Sequence, residues 1–313
     1  MVTPLSRSGS IGSILGMAGK INSLQLDLNL TMFSSQTCPV CESTQSKSLF
    51  SVADGKLVQC IECKLVFYTP LPSSAELAAF YDAESYRQNY HHSPLAGMQM
   101  AKIRYQQLKS YFRQRTSHDL GLSPQLRYLD VGCGEGDLLK VLAAEGWDTL
   151  GTEISAKAVA QAGEGWRDRI QVGDINSVDF PSAYFDLITM YHVIEHLLDP
   201  VDALSRVYNW LKPGGILFIE TPNWGGLGAR LRGRSWSLII PPEHLTYFQK
   251  SSLSYALSRA GYGDFQVFSS TPQVLESLDR FPIGVRQFIA IAYRLAPYMG
   301  LGANLQALAF RDH

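Results

Sequence analysis

The sequence predicts an α/β protein: a doubly wound, mostly parallel sheet preceded by a small module built on cysteines. Three observations predict it. Apolar strands alternate with amphipathic helices from Arg127 onward, a pattern that buries a parallel sheet between two helical layers. A glycine-rich loop, Gly132-Cys133-Gly134-Glu135-Gly136, follows the first of those strands. Two CxxC pairs stand ahead of both.

The elements follow in chain order. Residues 1–33 are expected to be a mobile extension, Ser- and Gly-rich from Ser8 to Gly19. Met1 to Thr31 lacks the apolar centre and cleavage pattern of a secretory leader. Met32 is an alternative start, because patterned sequence begins just after it. Residues 34–72 hold Cys38-Pro-Val-Cys41 and Cys60-Ile-Glu-Cys63, with 18 residues between the pairs. That spacing suits a four-cysteine zinc ribbon. Each pair aims two thiolates at one point, and the closed tetrahedron leaves no position for water, so the Zn2+ is structural. Zinc can supply roughly 10–16 kcal/mol to a segment too short to build its own core. A redox-active CxxC is the alternative. The residues between the pairs contain only Lys47 and Lys56 as bases, which argues against a ribbon that reads nucleic acid.

Residues 73–125 read as a helical linker or cap. Leu65 to Tyr68 is an apolar strand that Thr69-Pro70-Leu71-Pro72 breaks. Ser73 and Glu76 form a capping box opening a helix through Tyr81. A Tyr- and His-rich stretch runs to His92. A longer helix, Leu95 to Thr116, carries Met98, Ile103, Leu108 and Phe112 on one stripe.

Residues 126–313 form the large domain. Its expected strands are Tyr128–Val131, Thr149–Glu153, Ile170–Val172, Phe185–Met190 and Ile216–Glu220. Helices are expected over Asp137–Glu145, from Ser155, over Pro200–Leu211 and over Ser251–Ala260, and Lys212-Pro213-Gly214-Gly215 is expected to turn into the fifth strand. Gly263–Phe268 suits a sixth strand and Asn304–Arg311 a seventh. Between the last two lies a helical insertion, 271–299, carrying Phe281, Val285, Phe288, Ile289, Ile291 and Leu295 with Arg280, Arg286 and Arg294 interspersed. It reads as a lid or a dimer face, and a peripheral membrane contact is the alternative.

Glycines let the loop turn sharply and approach a ligand, but GxGxG alone suits a dinucleotide equally. Further features separate the two. Glu153 ends the second strand, where it can accept both hydroxyls of a ribose. Asp174 follows the third strand. The fourth ends in Met190-Tyr191-His192, not in another glycine motif. With these residues the chain resembles the class I S-adenosylmethionine (SAM)-dependent methyltransferases, whose domain is Rossmann-like and seven-stranded. The resemblance covers about Tyr128 to Glu220. It implies that Asp130, Gly132, Cys133, Gly134 and Gly136 form the first cofactor motif. By the same resemblance Glu153 holds the ribose, Asp174 the adenine amino group, and Ile154 and Ile175 flank the adenine. Tyr191 would lie beside the cofactor.

Methyl transfer is an in-line displacement, so the protein mainly aligns the acceptor, and alignment can lower the barrier by roughly 7–11 kcal/mol. A base is needed only where the acceptor loses a proton. The catalytic candidates are Tyr191, His192 and His196, with Glu195 between the histidines. If Tyr191 to His196 is helical, His192, Glu195 and His196 share a face. The segment also matches the HxxEH zinc-protease pattern, but its place in the methyltransferase order argues against that. By resemblance to sugar methyltransferases with a four-cysteine zinc module, His196 is the base. In ubiquinone-type and small-RNA methyltransferases an ExxEH segment binds a divalent metal. Here His192 replaces the first acid, which counts against a metal at Glu195 and His196. His196 has a bland reading too, as a hydrogen-bonded structural histidine. His244, in a Pro-marked loop, is a further candidate. Trp224 and Trp236 look like a substrate lid, and Tyr81, Tyr86 and Tyr90 would close the cofactor. Cys133 reads as a small residue tolerated in the loop.

The chain has 46% hydrophobic and 18% charged residues, enough to bury a large core. Its formal charge of −1 argues against a general nucleic-acid binder, and no apolar run spans a membrane. The expected acceptor is a small molecule, a nucleotide- or lipid-linked sugar or related glycan, with a quinone or polyketide hydroxyl as its rival. A scaffold that only binds through the ribbon is the alternative of another class. The expected location is cytoplasmic, and the sequence leaves the oligomeric state open.

Overall fold

The computed structural model describes residues 37–82, 94–115, 126–270 and 282–312. The expected extension 1–33, Met32, Tyr86, Tyr90 and the insertion's first part with Arg280 and Phe281 lie outside the described residues.

The large sheet has seven strands in the order β10-β11-β8-β7-β4-β5-β6. They are β4 (Arg127–Val131), β5 (Asp148–Glu153), β6 (Ile170–Val172), β7 (Phe185–Tyr191), β8 (Leu211–Pro222), β10 (Asp264–Ser270) and β11 (Asn304–Phe310). β4, β5, β6, β7 and β8 pair parallel, and β11 runs antiparallel between β8 and β10. β7 is apolar almost throughout because it lies in the sheet centre with both faces covered. Chain order reverses between β4 and β7, and a ligand in such a sheet sits beyond the strand ends at that reversal.

Helices cover both faces: α1 (Ser74–Asp82), α2 (Pro94–Arg115), α3 (Asp137–Ala144), α4 (Ala156–Gln161), α5 (Pro200–Trp210), α6 (Leu227–Arg232), α7 (Lys250–Arg259) and α8 (Ile283–Leu295). Their starts follow from capping. The Ser73 hydroxyl accepts from Glu76 N at 3.2 Å while the Glu76 carboxylate accepts from Ser73 N at 2.7 Å, the reciprocal box expected there. Asp199 caps α5 by accepting from Asp202 N, with Pro200 in the first turn. One expectation fails. Lys212 to Gly215 are not a free turn but the first part of β8, held by Arg311 N to Gly215 O and Gly214 N to Arg311 O. The pairing with β7 shifts between Phe185 and Leu187 to absorb them.

The cysteine module is a second, four-stranded sheet, β1 (Ser46–Val52), β2 (Gly55–Cys60), β3 (Val66–Thr69) and β9 (Thr246–Tyr247). β9 comes from the large domain and pairs antiparallel with β3, Val66 opposite Tyr247 and Phe67 opposite Thr246. Cys38, Cys60 and Cys63 are buried in the same apolar cluster as Ile188, Ile194 and Leu253 of the main core.

Candidate active site

The site lies at the carboxyl ends of β4, β5, β7 and β8. Gly132, Gly134 and Gly136 all adopt left-handed φ, 73°, 57° and 74°, which β-carbons would strain. Gly132 also has no room, since an added Cβ would meet a Val193 methyl at 2.6 Å. Gly134 instead faces open space, a cradle that a ligand can enter. Glu153 at the end of β5 is tied to this loop. Its carboxylate accepts from Gly134 N and Ser155 N, both at 2.9 Å, and burial pushes its pKa up. Cys133 packs its sulfur on Gly151, and burial pushes its thiol well up, as suits a filler. Ile154 is exposed beyond β5 while Ile175 is buried in the core. Asp174 is exposed, with one oxygen accepting from Asn176 N.

Asp130 is buried under the loop and accepts from the Thr189 hydroxyl at 2.6 Å. Beside it Tyr191 is buried, and its hydroxyl has no hydrogen-bond partner. The Arg104 guanidinium of α2 lies 4.3 Å from the Tyr191 ring centre. Together Arg104 and the orphaned hydroxyl fit an anionic group at this edge of the cradle.

The segment after β7 departs from the expected helix. His192 takes a left-handed φ of 55°, and only Ile194 to His196 form a single 3-10 turn. The three side chains therefore do not share a helical face but fan around Glu195. His192 Nδ1 is 3.3 Å from one Glu195 oxygen, and its Nε2 is 3.4 Å from Glu220. Burial opposes its charge, yet the two carboxylates hold its pKa up at about 9. The Glu195 carboxylate, with burial against it and the His192 contact for it, is held at about 2. Its other oxygen accepts from Thr221 at 2.9 Å. Gln306 donates to Glu220.

His196 faces the other way. Its Nδ1 lies 2.8 Å from the Glu243 carbonyl, and His244 Nδ1 lies 2.9 Å from the Leu238 carbonyl. A carbonyl oxygen only accepts, so both Nδ1 atoms carry the proton and both Nε2 atoms keep a lone pair. Burial lowers both pKa values, which keeps the rings neutral. The rings meet edge to face with centres 4.8 Å apart, and donor atoms of Glu195, His196 and His244 all lie within 4.8 Å of one another. A carboxylate oxygen and one nitrogen from each imidazole thus gather in one place. Tyr81 packs edge-on to His196 at 6.5 Å.

Trp224 and Trp236 are not an open lid. Their rings pack 5.8 Å apart, Trp236 is buried, and both abut Tyr247 of β9. Sequence reasoning missed Arg104, Glu220, Thr221, Gln306 and Glu243. The signal for Glu220 and Gln306 was present, because each is a polar residue within a run that otherwise reads as a buried strand.

In the ribbon, Cys38 and Cys63 sulfurs are 3.5 Å apart and Cys41 and Cys60 sulfurs 3.3 Å. All four lie within 4.8 Å of one another. A disulfide needs about 2.05 Å, whereas a tetrahedral zinc with bonds of about 2.3 Å fits among four sulfurs at this spacing. The Cys63 thiol, donating to Cys38, draws the Cys38 pKa down to about 5.

Residues 100–267, just over half of the chain, match the family described as Methyltransferase domain. Curated relatives include the ubiquinone biosynthesis O-methyltransferase of Parvibaculum lavamentivorans. It is 33% identical over 126 residues, 36% of this chain and 50% of that protein. A probable S-adenosylmethionine-dependent methyltransferase of Mycolicibacterium smegmatis is 31% identical over 96 residues, 30% of this chain and 37% of that protein. The chain spans about half the length of the curated relatives it matches first. Among solved structures, Haemonchus contortus phosphoethanolamine N-methyltransferase 2 was captured with phosphomonomethylethanolamine and S-adenosylhomocysteine. It aligns over 85% of this chain and 71% of that one, at TM-score 0.53 and 18% identity, a likeness of fold alone.

Proposed function

Since the chain belongs to the methyltransferase-domain family, we propose that it transfers the methyl group of SAM to a small-molecule acceptor, a nucleotide- or lipid-linked sugar or related glycan. The observation that carries the reaction is the pairing of two features at neighbouring strand ends. One is the open Gly134 cradle tied to Glu153. The other is the pair of neutral imidazoles of His196 and His244, each held through Nδ1 beside Glu195. The resemblance to zinc-module sugar methyltransferases supports the acceptor class, and a structural zinc on Cys38, Cys41, Cys60 and Cys63 accompanies it.

SAM, when bound, supplies an activated methyl on a sulfonium. Gly132 to Gly136 and Glu153 would hold its nucleoside end, with Ile154 and Asp174 on the adenine side. Arg104 and the Tyr191 hydroxyl suit its carboxylate. At the other end, His196 Nε2 would accept the proton of an acceptor hydroxyl as that oxygen takes the methyl group, the methyl–sulfur bond breaking and the sulfonium leaving as a neutral thioether. Glu195, charged and buried, steadies the imidazolium so formed, and Glu243 O holds the ring in place.

Calorimetric titration tests the cofactor half. Micromolar SAM binding is expected, reduced at least tenfold by Glu153→Ala, with one zinc per chain by elemental analysis. A folded, zinc-loaded protein that ignores SAM sinks the reading and revives a binding role for the ribbon.

A second reading rests on the same convergence of acceptors. Glu195, His196 and His244 offer one carboxylate oxygen and two imidazole nitrogens, a donor set suited to a divalent cation. With the ubiquinone-biosynthesis relatives, it favours a quinone-type hydroxyl. The two readings part on one assay with sugar nucleotides and catechols as acceptors. In the first, His196→Ala lowers kcat roughly 100- to 10,000-fold and added magnesium or manganese changes nothing. Rates that need the added metal favour the second.

A further inference from the structure

We propose that α6 and the end of α8 with its following turn form a surface that seats the protein on an anionic lipid bilayer. Residues 224–242 and 282–303 contain five arginines and no aspartate or glutamate, in a chain that has 28 acids among 313 residues. Arg230, Arg232, Arg234 and Arg294 are exposed. Among the described residues none of these four has an acidic partner.

The apolar side chains here are as unusual as the charge. Ile291 and Leu295 are exposed four residues apart on α8, and Tyr298 and Met299 are exposed in the turn that follows it. Leu231, between Arg230 and Arg232, is 77% exposed, and Tyr298 is 90% exposed. A soluble surface leaves single apolar residues bare, but not a group of them beside arginines that have no acidic partner among the described residues.

The two segments are stitched into one face. Leu227 N donates to Leu301 O at 2.8 Å, and Asn223 Nδ2 donates to Gly302 O at 2.8 Å. A β-carbon on Gly226 would lie 2.6 Å from Gly302 O, so only glycine permits this approach. Basic and apolar groups mixed on one face match the interface of an anionic bilayer, where apolar groups enter the acyl boundary and arginines meet phosphates. A second copy of this chain set face to face would bring the same arginines against each other. The chain from β8 passes through α6 and returns at His244. On the methyltransferase reading, therefore, an acceptor carried on a lipid arrives from this side.

Vesicle pelleting tests the surface on the full chain, without SAM or acceptor, so its outcome is independent of methyl transfer. The probes are vesicles of phosphatidylcholine alone and of phosphatidylcholine with 30% phosphatidylglycerol as an on-the-order-of physiological anionic content. Binding at least tenfold stronger to the anionic vesicles is expected. Arg230→Gln with Arg232→Gln and Arg234→Gln should weaken it on the order of 100-fold, at ~1 kcal/mol per arginine. Leu231→Ser with Tyr298→Ser should also release the protein, and circular dichroism with a thermal melt checks that each variant is folded. Equal binding to both vesicles, none to either, or variants that bind as before would overturn the proposal. So would a solution dimer that the Leu231→Ser, Tyr298→Ser variant dissolves, since a second copy would then be the occupant.

Discussion

Asp130 is a buried carboxylate. Tyr128 donates to Thr189 and Thr189 to Asp130, each at 2.6 Å, while burial outweighs both that bond and the Arg104 charge and lifts its pKa to about 6. Glu153 nearby pushes the same way. The folded pKa thus lies above the unfolded one, so ionisation costs stability as pH rises from about 4 through about 6. Asp130→Asn keeps an acceptor for Thr189 and has nothing to ionise. The variant should gain on the wild type by on the order of 2 kcal/mol between pH 4 and pH 7. Thermal melts across that range check it, and parallel pH profiles for the two proteins would refute the account. The residue's identity was legible, because an acid ends the strand before the glycine loop. Its ionisation was not, since that depends on Thr189 and Arg104, which come from distant stretches of chain.

At the scale of elements, β9 is two residues long and joins three parts. One edge pairs with β3, just after Cys63, and Tyr68 N donates to Leu245 O at 2.9 Å. On the other side Leu245 N donates to Glu195 O at 2.9 Å. The Tyr247 hydroxyl donates to His244 O at 3.1 Å. The ribbon is therefore wired to the turn that carries Glu195 and His196. Tyr247→Phe should cost roughly 0.5–1.5 kcal/mol and move the imidazole NMR signals of His196 and His244, with SAM affinity unchanged. Unmoved imidazole signals would detach the ribbon from the histidines. No sequence rule could find β9, because so short a strand carries no period and its partner lies far back in the chain. The segment Tyr191 to His196 misleads for a related reason. Its i, i+3, i+4 spacing suits a helix, yet His192 takes a left-handed φ with its ring between Glu195 and Glu220. The long strands were legible, because each is a run of apolar residues that a covered sheet demands.

For the whole molecule, the buried cysteines and the sheet centre belong to one apolar cluster. A ribbon with its own core would melt by itself, whereas a shared core melts together. Scanning calorimetry of the zinc-loaded protein should show one transition, and Cys60→Ser, which breaks the metal site, should lower it as a whole. Two resolved transitions would show separate folding units. The cysteine spacing announced the metal site from the sequence. That its walls would be those of the catalytic domain was not legible, since it depends on which apolar faces meet in three dimensions.

The excursion between Asn223 and Glu243 is pinned at both ends. Asn223 N donates to Ala303 O, and β9 is clamped between the ribbon and the Glu195 turn. What lies between touches the site at Leu238 and Ile240, whose carbonyls accept from His244, and its other positions can change their chemistry while those two contacts hold His244 in place. On the proposed function, the protein carries a variable cassette over fixed histidines, and a lineage could change its acceptor there without relearning how to move a methyl group.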